Sequence, residues 1–396
     1  MALSKIDVAN MLTGATPVAN GGTALTSGFV NGRTNNQMAP IIVNGDMAIA
    51  QRSHTTVAQA NDSNEGYATV DRFGLYFGNS AGGTITTSRD TTAPTGFGQS
   101  IKLDVTSADT SVAATHIVDL RTTLEAQVIR NSGWNYTSSS SYLTLSFQIR
   151  SSKTGTYCVY LQSQDGTAYQ YTQEYTISSA DTWEQKVITV PGNSNLTFNN
   201  DNGAGLIVSF MLAVGSSRYG TAGSWTTSSA YGTSNQVNFL DNTSNVAYIT
   251  GVQLEVGQFT SSTLPPFQHE SFGDNLARCY RYYQMPVHNK DHQGNNEEYG
   301  AFNTGTYSAD AYFRAARPLG VEMRANPTLV SSSGTNYFFI LSGVNDDIND
   351  LTLHNDSNFK TVWVYNNDEA SSTAGQAGIL MANNLSAYIA FDAELE

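Results

Sequence analysis

The chain is organised by alternation. Ile101, Leu103 and Val105 alternate with Lys102 and Asp104, and Leu143, Leu145, Phe147 and Ile149 alternate with Thr144, Ser146 and Gln148. Leu206, Val208, Phe210, Leu212 and Val214 oppose Ile207, Ser209, Met211 and Ala213, and Tyr248, Val252, Leu254 and Val256 are arranged around Gly251, Gln253 and Glu255. Successive side chains on a strand point to opposite faces, so a period of two with one polar face marks antiparallel strands packed on one side. Ser, Gly and Asn clusters separate these runs, as at Ser138–Ser141 and Asn193–Asn195. Many short strands between turn clusters, over roughly 230 residues from Pro40 to Phe267, predict an all-β fold, an antiparallel β-sandwich of jelly-roll type.

The pattern changes on both sides of that stretch. Ser271 is placed to cap one interior helix, with Leu276, Tyr280 and Tyr283 at helical spacing and Arg278 and Arg281 on another face. After Pro286 the stretch His288 to Glu298 is polar and contains glycine, which suits a linker. Strand patterns resume at Tyr312–Arg314, Tyr337–Leu341, Thr361–Tyr365 and Ala387–Phe391, predicting a smaller C-terminal β-domain. At the other end, Ser4 is placed to cap a short helix from Lys5 to Met11, followed by turn residues Pro17, Gly21, Gly22, Gly28 and Gly32. That end has little apolar surface and is expected to order only against a partner. The division is therefore 1–40, an attachment segment; 41–285, the sandwich with its closing helix; and 286–396, the second β-domain.

Composition narrows the class. The chain has 396 residues, of which 19 are basic and 33 acidic, for a net charge of −14. Charged residues make up 13%, about half the usual ~25%. Their place is taken by 41 Ser, 44 Thr, 35 Asn and 34 Gly, residues poor in helix interiors and good in turns and on exposed strand faces. Hydrophobic content of 40% and aromatic content of 11% suffice to offset chain entropy, which argues against disorder. An acidic balance with a pI near 4.7 argues against nucleic acid, whose phosphates call for clustered Lys and Arg. The start Met1–Lys5 lacks a signal-peptide pattern, and the longest apolar run, Leu206–Val214, contains Ser209. It falls far short of the ~20 residues that span a bilayer, so no membrane insertion is expected. Cys158 and Cys279 are too few for a disulfide framework and read as two buried thiols of a protein made in a reducing cytoplasm.

Candidate chemistry is sparse. No nucleophile arrangement is legible, because serines are so abundant that a Ser near a His does not discriminate. Asp71, Glu125, Glu255 and Glu270 offer carboxylates, yet nothing in the sequence pairs them across a cleft as glycoside hydrolysis requires. His288 and His292 flank Asp291 but sit beside Gly294, Asn295 and Asn296, which favours a solvated loop over a metal-binding helix. Asn199–Gly203 resembles the start of a calcium loop, but Phe210 occupies the position of the closing acid. No catalytic residue, metal ligand or cofactor is assigned. What remains is aromatic residues within Ser/Thr/Gly-rich segments: Trp134, Tyr136, Tyr219, Trp225 and Tyr231. A pyranose has an apolar C–H face and a hydroxyl rim, so aromatic plates beside hydroxyl and amide groups are candidates for carbohydrate binding. Trp183 and Trp363 lie in strand patterns and read as core residues, Trp363 alternatively as a subunit contact.

Several phrases occur in an order that carries a resemblance. They are Asn44–Arg52, Asp71–Phe73, Ile249–Gly257, Pro266–Phe267, Arg278–Tyr283, Met323–Thr328 and Phe391–Leu395. The chain resembles bacteriophage tail-fibre and virion fibre proteins of marine-phage type, whose jelly-roll domain is similar in architecture to carbohydrate-binding modules. Phe73 stands where many relatives carry Trp. The resemblance implies a non-enzymatic structural virion protein, a homotrimeric tail fibre that attaches the phage to host surface glycan. Residues 1–40 would join it to other tail or portal-proximal virion proteins, after assembly in the host cytoplasm. A head fibre or decoration protein, and a tail-spike glycan depolymerase, are the other roles it leaves open. The phrases themselves look structural rather than catalytic.

Overall fold

The computed structural model describes residues 39–52, 56–288 and 300–395, with the backbone of a hairpin pairing β1 (Phe29–Val30) to β2 (Arg33–Thr34). The helix expected over Lys5 to Met11, most of the attachment segment, His292 and nearly all of the expected linker lie outside the described residues.

The sandwich contains β3 (Val57–Gln59), β4 (Gly74–Gly78), β5 (Thr84–Asp90), β6 (Ser100–Ser107) and β7 (Ile117–Glu125), then the short helix α1 (Ala126–Arg130). It continues with β8 (Tyr142–Ser151), β9 (Gly155–Ser163), β10 (Gln170–Ile177), β11 (Glu184–Pro191), β12 (Ala204–Val214), β13 (Trp225–Thr226) and β14 (Val246–Val256). Two six-stranded antiparallel sheets result, ordered β13-β10-β9-β12-β7-β4 and β11-β8-β14-β6-β5-β3. The alternating residues of the sequence face each other between them. Leu103, Leu143, Leu145, Phe147, Val208 and Phe210 are all buried in one continuous core, which is the two-sheet packing that the period of two predicted. Both cysteines are free and buried.

α2 (Phe272–Tyr280) closes the sandwich. Ser271 caps it, its hydroxyl accepting the Asp274 N–H at 3.1 Å and so satisfying one of the unpaired donors of the first turn. The helix ends at Tyr280; Tyr283, expected on its face, instead begins β15 (Tyr283–His288). The second β-domain follows with β16 (Ala301–Ala309), β17 (Tyr312–Pro318), β18 (Thr328–Ser331), β19 (Phe338–Leu341) and β20 (Asn345–Ile348). Its last strands are β21 (Thr352–Leu353), β22 (Thr361–Asn366), β23 (Ala377–Ala382) and β24 (Tyr388–Asp392). They form a three-stranded sheet, β15-β24-β18, and a seven-stranded sheet, β20-β19-β23-β16-β17-β22-β21, around a separate core that includes Phe302, Tyr307, Phe313, Phe338 and Phe391.

Candidate functional site

The phrases that carry the family resemblance converge on the junction of the two β-domains. Asn44 takes a left-handed backbone (φ 60), and its amide ties three segments together. It donates to the Ile49 and Asp71 carbonyls at 2.9 and 2.8 Å and accepts from the Asn275 amide of α2 at 3.3 Å. Gly45 follows because the strand β14 lies against it: a Cβ there would come within 2.1 Å of the Val252 carbonyl oxygen. Gly251 stands at the bulge of the same strand with φ 62, a conformation glycine adopts without strain. The loop, the bulge and the helix thus form one folded unit, on which the end of the chain docks.

That docking is ionic and aromatic. Arg72, also left-handed (φ 69) and fully buried, pairs with the Glu394 carboxylate, donates to the Thr123 carbonyl and lies 3.5 Å from the Tyr282 ring centroid. Arg52 pairs with Asp392 at 2.9 Å and Glu394 at 3.4 Å and lies 3.7 Å from the Tyr283 ring centroid. Arg324 donates to the Ala393 and Glu394 carbonyls, and the Tyr67 hydroxyl to that of Leu395 at 3.0 Å. Burial alone would lower the pKa of Arg72, but the Glu394 charge together with Tyr67, Tyr282 and Cys279 more than compensates and raises it, so the guanidinium stays charged.

Beside this clamp opens a cleft of about 540 Å³, within the range of small-ligand sites. Its floor is the face of the three-stranded sheet: Tyr283 and Asp392 are cross-strand partners, as are His288 and Tyr388, and all four line it. Its wall comes from the sandwich, with Val57, Asn64, Glu65 and Tyr67. Leu385, Val330, Met285 and Arg52 also line the cleft. Phenol rings thus meet amide, carboxylate and guanidinium groups in one concavity. The sequence marked Arg52, Tyr283, His288 and Asp392 for other reasons but none of these positions as a sugar contact, because they come from four distant segments. The one signal available was the tyrosine on the outer face of the Ala387–Phe391 strand.

The five aromatic residues read from the sequence do not form one site. Trp134 is only 3% exposed, so it belongs to the core rather than to a binding surface. Its indole donates to the Ser141 carbonyl at 3.3 Å, and its ring packs against Tyr136 and Phe198. Tyr136 and Trp225 are half-buried and both bond to one short segment, Pro191–Asn193. The Trp225 indole donates to the Pro191 carbonyl at 2.7 Å, and the Tyr136 carbonyl accepts the Asn193 N–H at 2.8 Å. Trp225 also pairs with Tyr171 across β13 and β10, its ring 5.4 Å away. Tyr219, 39% exposed, and Tyr231 lie in one loop, where Tyr231 covers Tyr160 on the outer face of β9 at 5.2 Å. Trp183, expected in the core, is instead half-buried against Tyr248 on an outer sheet face.

The four carboxylates considered for hydrolysis are engaged elsewhere, and none lines the cleft. Asp71 accepts from Gln51, Glu255 from Gln268 and Glu270 from Arg278. Glu125 accepts a bidentate pair from Arg281 at 2.6 and 2.7 Å and the Tyr282 hydroxyl at 2.8 Å. Burial alone would raise its pKa, but these hydrogen bonds and the Arg281 charge hold the carboxyl below the usual 4.5. A depressed carboxylate contributes stability that is present above its unfolded pKa and lost as pH falls through the folded one. Glu125→Gln is therefore expected to cost about 2 kcal/mol at pH 7, less than a fully buried pair because Arg281 is partly solvated. The difference in unfolding free energy from the parent should shrink below pH 4.5; a difference constant from pH 7 to 3 would refute it.

Among the described residues, Asp350, Asp368 and Glu369 bring carboxylate oxygens within 4.8 Å of one another. Two of the three are exposed, and Glu369 accepts from the Asn349 backbone N–H at 2.6 Å. The group is a surface acidic cluster of the second β-domain and shares no residue with the Asn199–Gly203 turn.

No protein-family model matches the chain, and no curated protein matches it. Solved structures similar to part of it include the enzymatically active domain of tailspike protein 4 of bacteriophage CBA120, with 12% identity and a TM-score of 0.30. That similarity covers 55% of this chain and 21% of the tailspike chain, about a fifth of its length. The family 11 carbohydrate-binding module of the Clostridium thermocellum cellulase Lic26A-Cel5E matches with 12% identity and a TM-score of 0.28, over 52% of this chain and 99% of the module. The N-terminal cellulose-binding domain of Cellulomonas fimi β-1,4-glucanase C matches with 9% identity and a TM-score of 0.27, over 48% of this chain and 90% of that domain. With TM-scores of this size, the assignment of an antiparallel β-sandwich rests on the sheets themselves.

Proposed function

We propose that this chain is a fibre protein of a phage particle that binds bacterial surface glycan, with the junction cleft as its sugar contact. The observation that carries the reading is the composition of the cleft: the half-buried rings of Tyr67 and Tyr388 beside Asn64, Glu65, Arg52 and Asp392, with the buried Tyr283 beneath the Arg52 guanidinium as support. Phenol rings suit the C–H face of a pyranose, and the amide and charged groups suit its hydroxyl rim. The fibre role is supported by the ordered phrases that resemble virion fibre proteins. In that role residues 1–40 join other virion proteins, and a homotrimer multiplies weak single contacts by avidity. The protein acts by binding rather than cleavage.

The test is an array of bacterial lipopolysaccharides and capsular polysaccharides probed with the full chain, followed by Tyr388→Ala. Loss of one stacked ring removes about 0.5–1.5 kcal/mol, so apparent affinity should fall by about two- to tenfold with little change in Tm. Failure of the parent to bind any glycan on the array would overturn the reading. Release of oligosaccharides would replace it with a depolymerase.

A further inference from the structure

The second β-domain carries an aromatic face remote in sequence from the residues that line the cleft. In β22 Val362, Val364 and Asn366 are buried, which turns Trp363 and Tyr365 to the opposite, half-buried side. In β17 Phe313 and Ala315 are buried, which turns Tyr312 and Arg314 to that same side. The Tyr312 and Tyr365 rings stack at 5.4 Å and 29°. His354 meets Tyr365 edge-on at 5.7 Å and Trp363 at 6.5 Å, and the Arg314 guanidinium carbon lies 5.6 Å from the Trp363 centroid. Trp363 is thus half-buried rather than the core residue that one reading of the strand pattern suggested.

We infer that this face is a second glycan contact, an aromatic patch that packs against the hexose rings of a polysaccharide strand; the inference rests on the reading of the chain as a glycan binder. Three features select this occupant. The rings hold one another at fixed tilts, so little side-chain entropy remains to be lost on binding. Trp363 and Tyr365 are two residues apart on a strand, about 6.5–7 Å, so one or two adjoining sugar rings meet both. Finally, hydrogen-bonding groups flank the rings. His354 Nδ1 is engaged by Asp356, whose N–H lies 3.1 Å away and whose carboxylate lies 3.4 Å away, which leaves Nε2 to face a ligand, and Arg314 supplies a planar fork. A second copy of the chain would instead be drawn to the aliphatic end of this sheet, where Leu341 and Ile379 are exposed on β19 and β23.

The test uses the full chain and the same array of bacterial lipopolysaccharides and capsular polysaccharides. Trp363→Ala and Tyr365→Ala should each lower apparent affinity about two- to tenfold. Sedimentation mass should be unchanged, and combination with Tyr388→Ala should lower affinity further. Trp363→Phe keeps a stacking plane and should retain most binding; if the alanine variants fold poorly, Arg314→Gln should still weaken binding. Binding that falls with Tyr388→Ala but is normal in the Trp363, Tyr365 and Arg314 variants would overturn the patch and leave the cleft. A change in sedimentation mass would mark the face as a subunit contact and overturn it too. A parent that binds no glycan at all would instead remove the reading on which it rests.

Discussion

Replacing Arg72 with Met is expected to lower stability by about 3–5 kcal/mol, because it leaves the Glu394 carboxylate buried with only the longer contact to Arg52. A domain is stable by about 5–15 kcal/mol in total, so the loss is large. It should appear as early detachment of the C-terminal residues, measured by denaturant unfolding and by proteolysis of the second β-domain. Arg72→Lys should recover little, since an ammonium cannot bond the Glu394 carboxylate and the Thr123 carbonyl with one planar fork while lying on the Tyr282 ring. Arg72→Met combined with Glu394→Leu should recover part of the loss, because the double variant leaves no lone charge behind. The control is Arg150→Ala: its 3.5 Å pair with the largely exposed Asp181 should contribute less than about 1 kcal/mol. A loss at Arg72 no larger than that at Arg150 would show that the clamp contributes little to stability.

The strands were legible because a polar outer face imposes a period of two, as in Leu143–Ile149. Leu206–Val214 is buried on both faces, with Ile207 and Met211 in a second cluster, and a bulge at Met211–Ala213 breaks its alternation. The end of α2 was less legible. Tyr283 fits helical spacing, but pairing with Asp392 across β15 and β24 draws it into the sheet, and that partner lies more than a hundred residues away. The phrases Asn44–Arg52, Asp71–Phe73, Arg278–Tyr283 and Phe391–Leu395 were visible as words. Their common purpose was not, because only the fold brings the two arginines to the C-terminal carboxylates. The same distance hides the cleft. Tyr67, Tyr283 and Tyr388 are unremarkable singly, and the chain has 21 tyrosines among which spacing does not discriminate. The aromatic face of the second domain was half legible. Trp363 and Tyr365 alternate with Val362 and Val364, but alternation alone does not say which side meets the core.

Trp134 shows where reasoning from loop composition fails, and its replacement provides the second large effect. The surrounding Asn131–Tyr136 and Ser138–Ser141 segments are polar, which suggested an exposed aromatic plate. In the fold, Gly133 takes a positive φ of 86, and the chain turns the indole inward between Tyr136 and Phe198 at 6.2 Å from each. The indole N–H is satisfied by the Ser141 carbonyl, so the ring is a core element with its polar atom accommodated. Trp134→Ala should therefore cost about 3–5 kcal/mol through lost burial and the cavity left behind. Trp134→Phe should cost less, retaining ring contact with Phe198 but losing the hydrogen bond. The deciding comparison sets unfolding midpoints against glycan affinity per folded molecule. Trp134→Ala should lower the first and leave the second unchanged, whereas Tyr388→Ala should do the reverse. If Trp134→Ala keeps the parental midpoint and loses glycan affinity, the inward placement of this ring, and with it the separation of core from binding surface, is refuted.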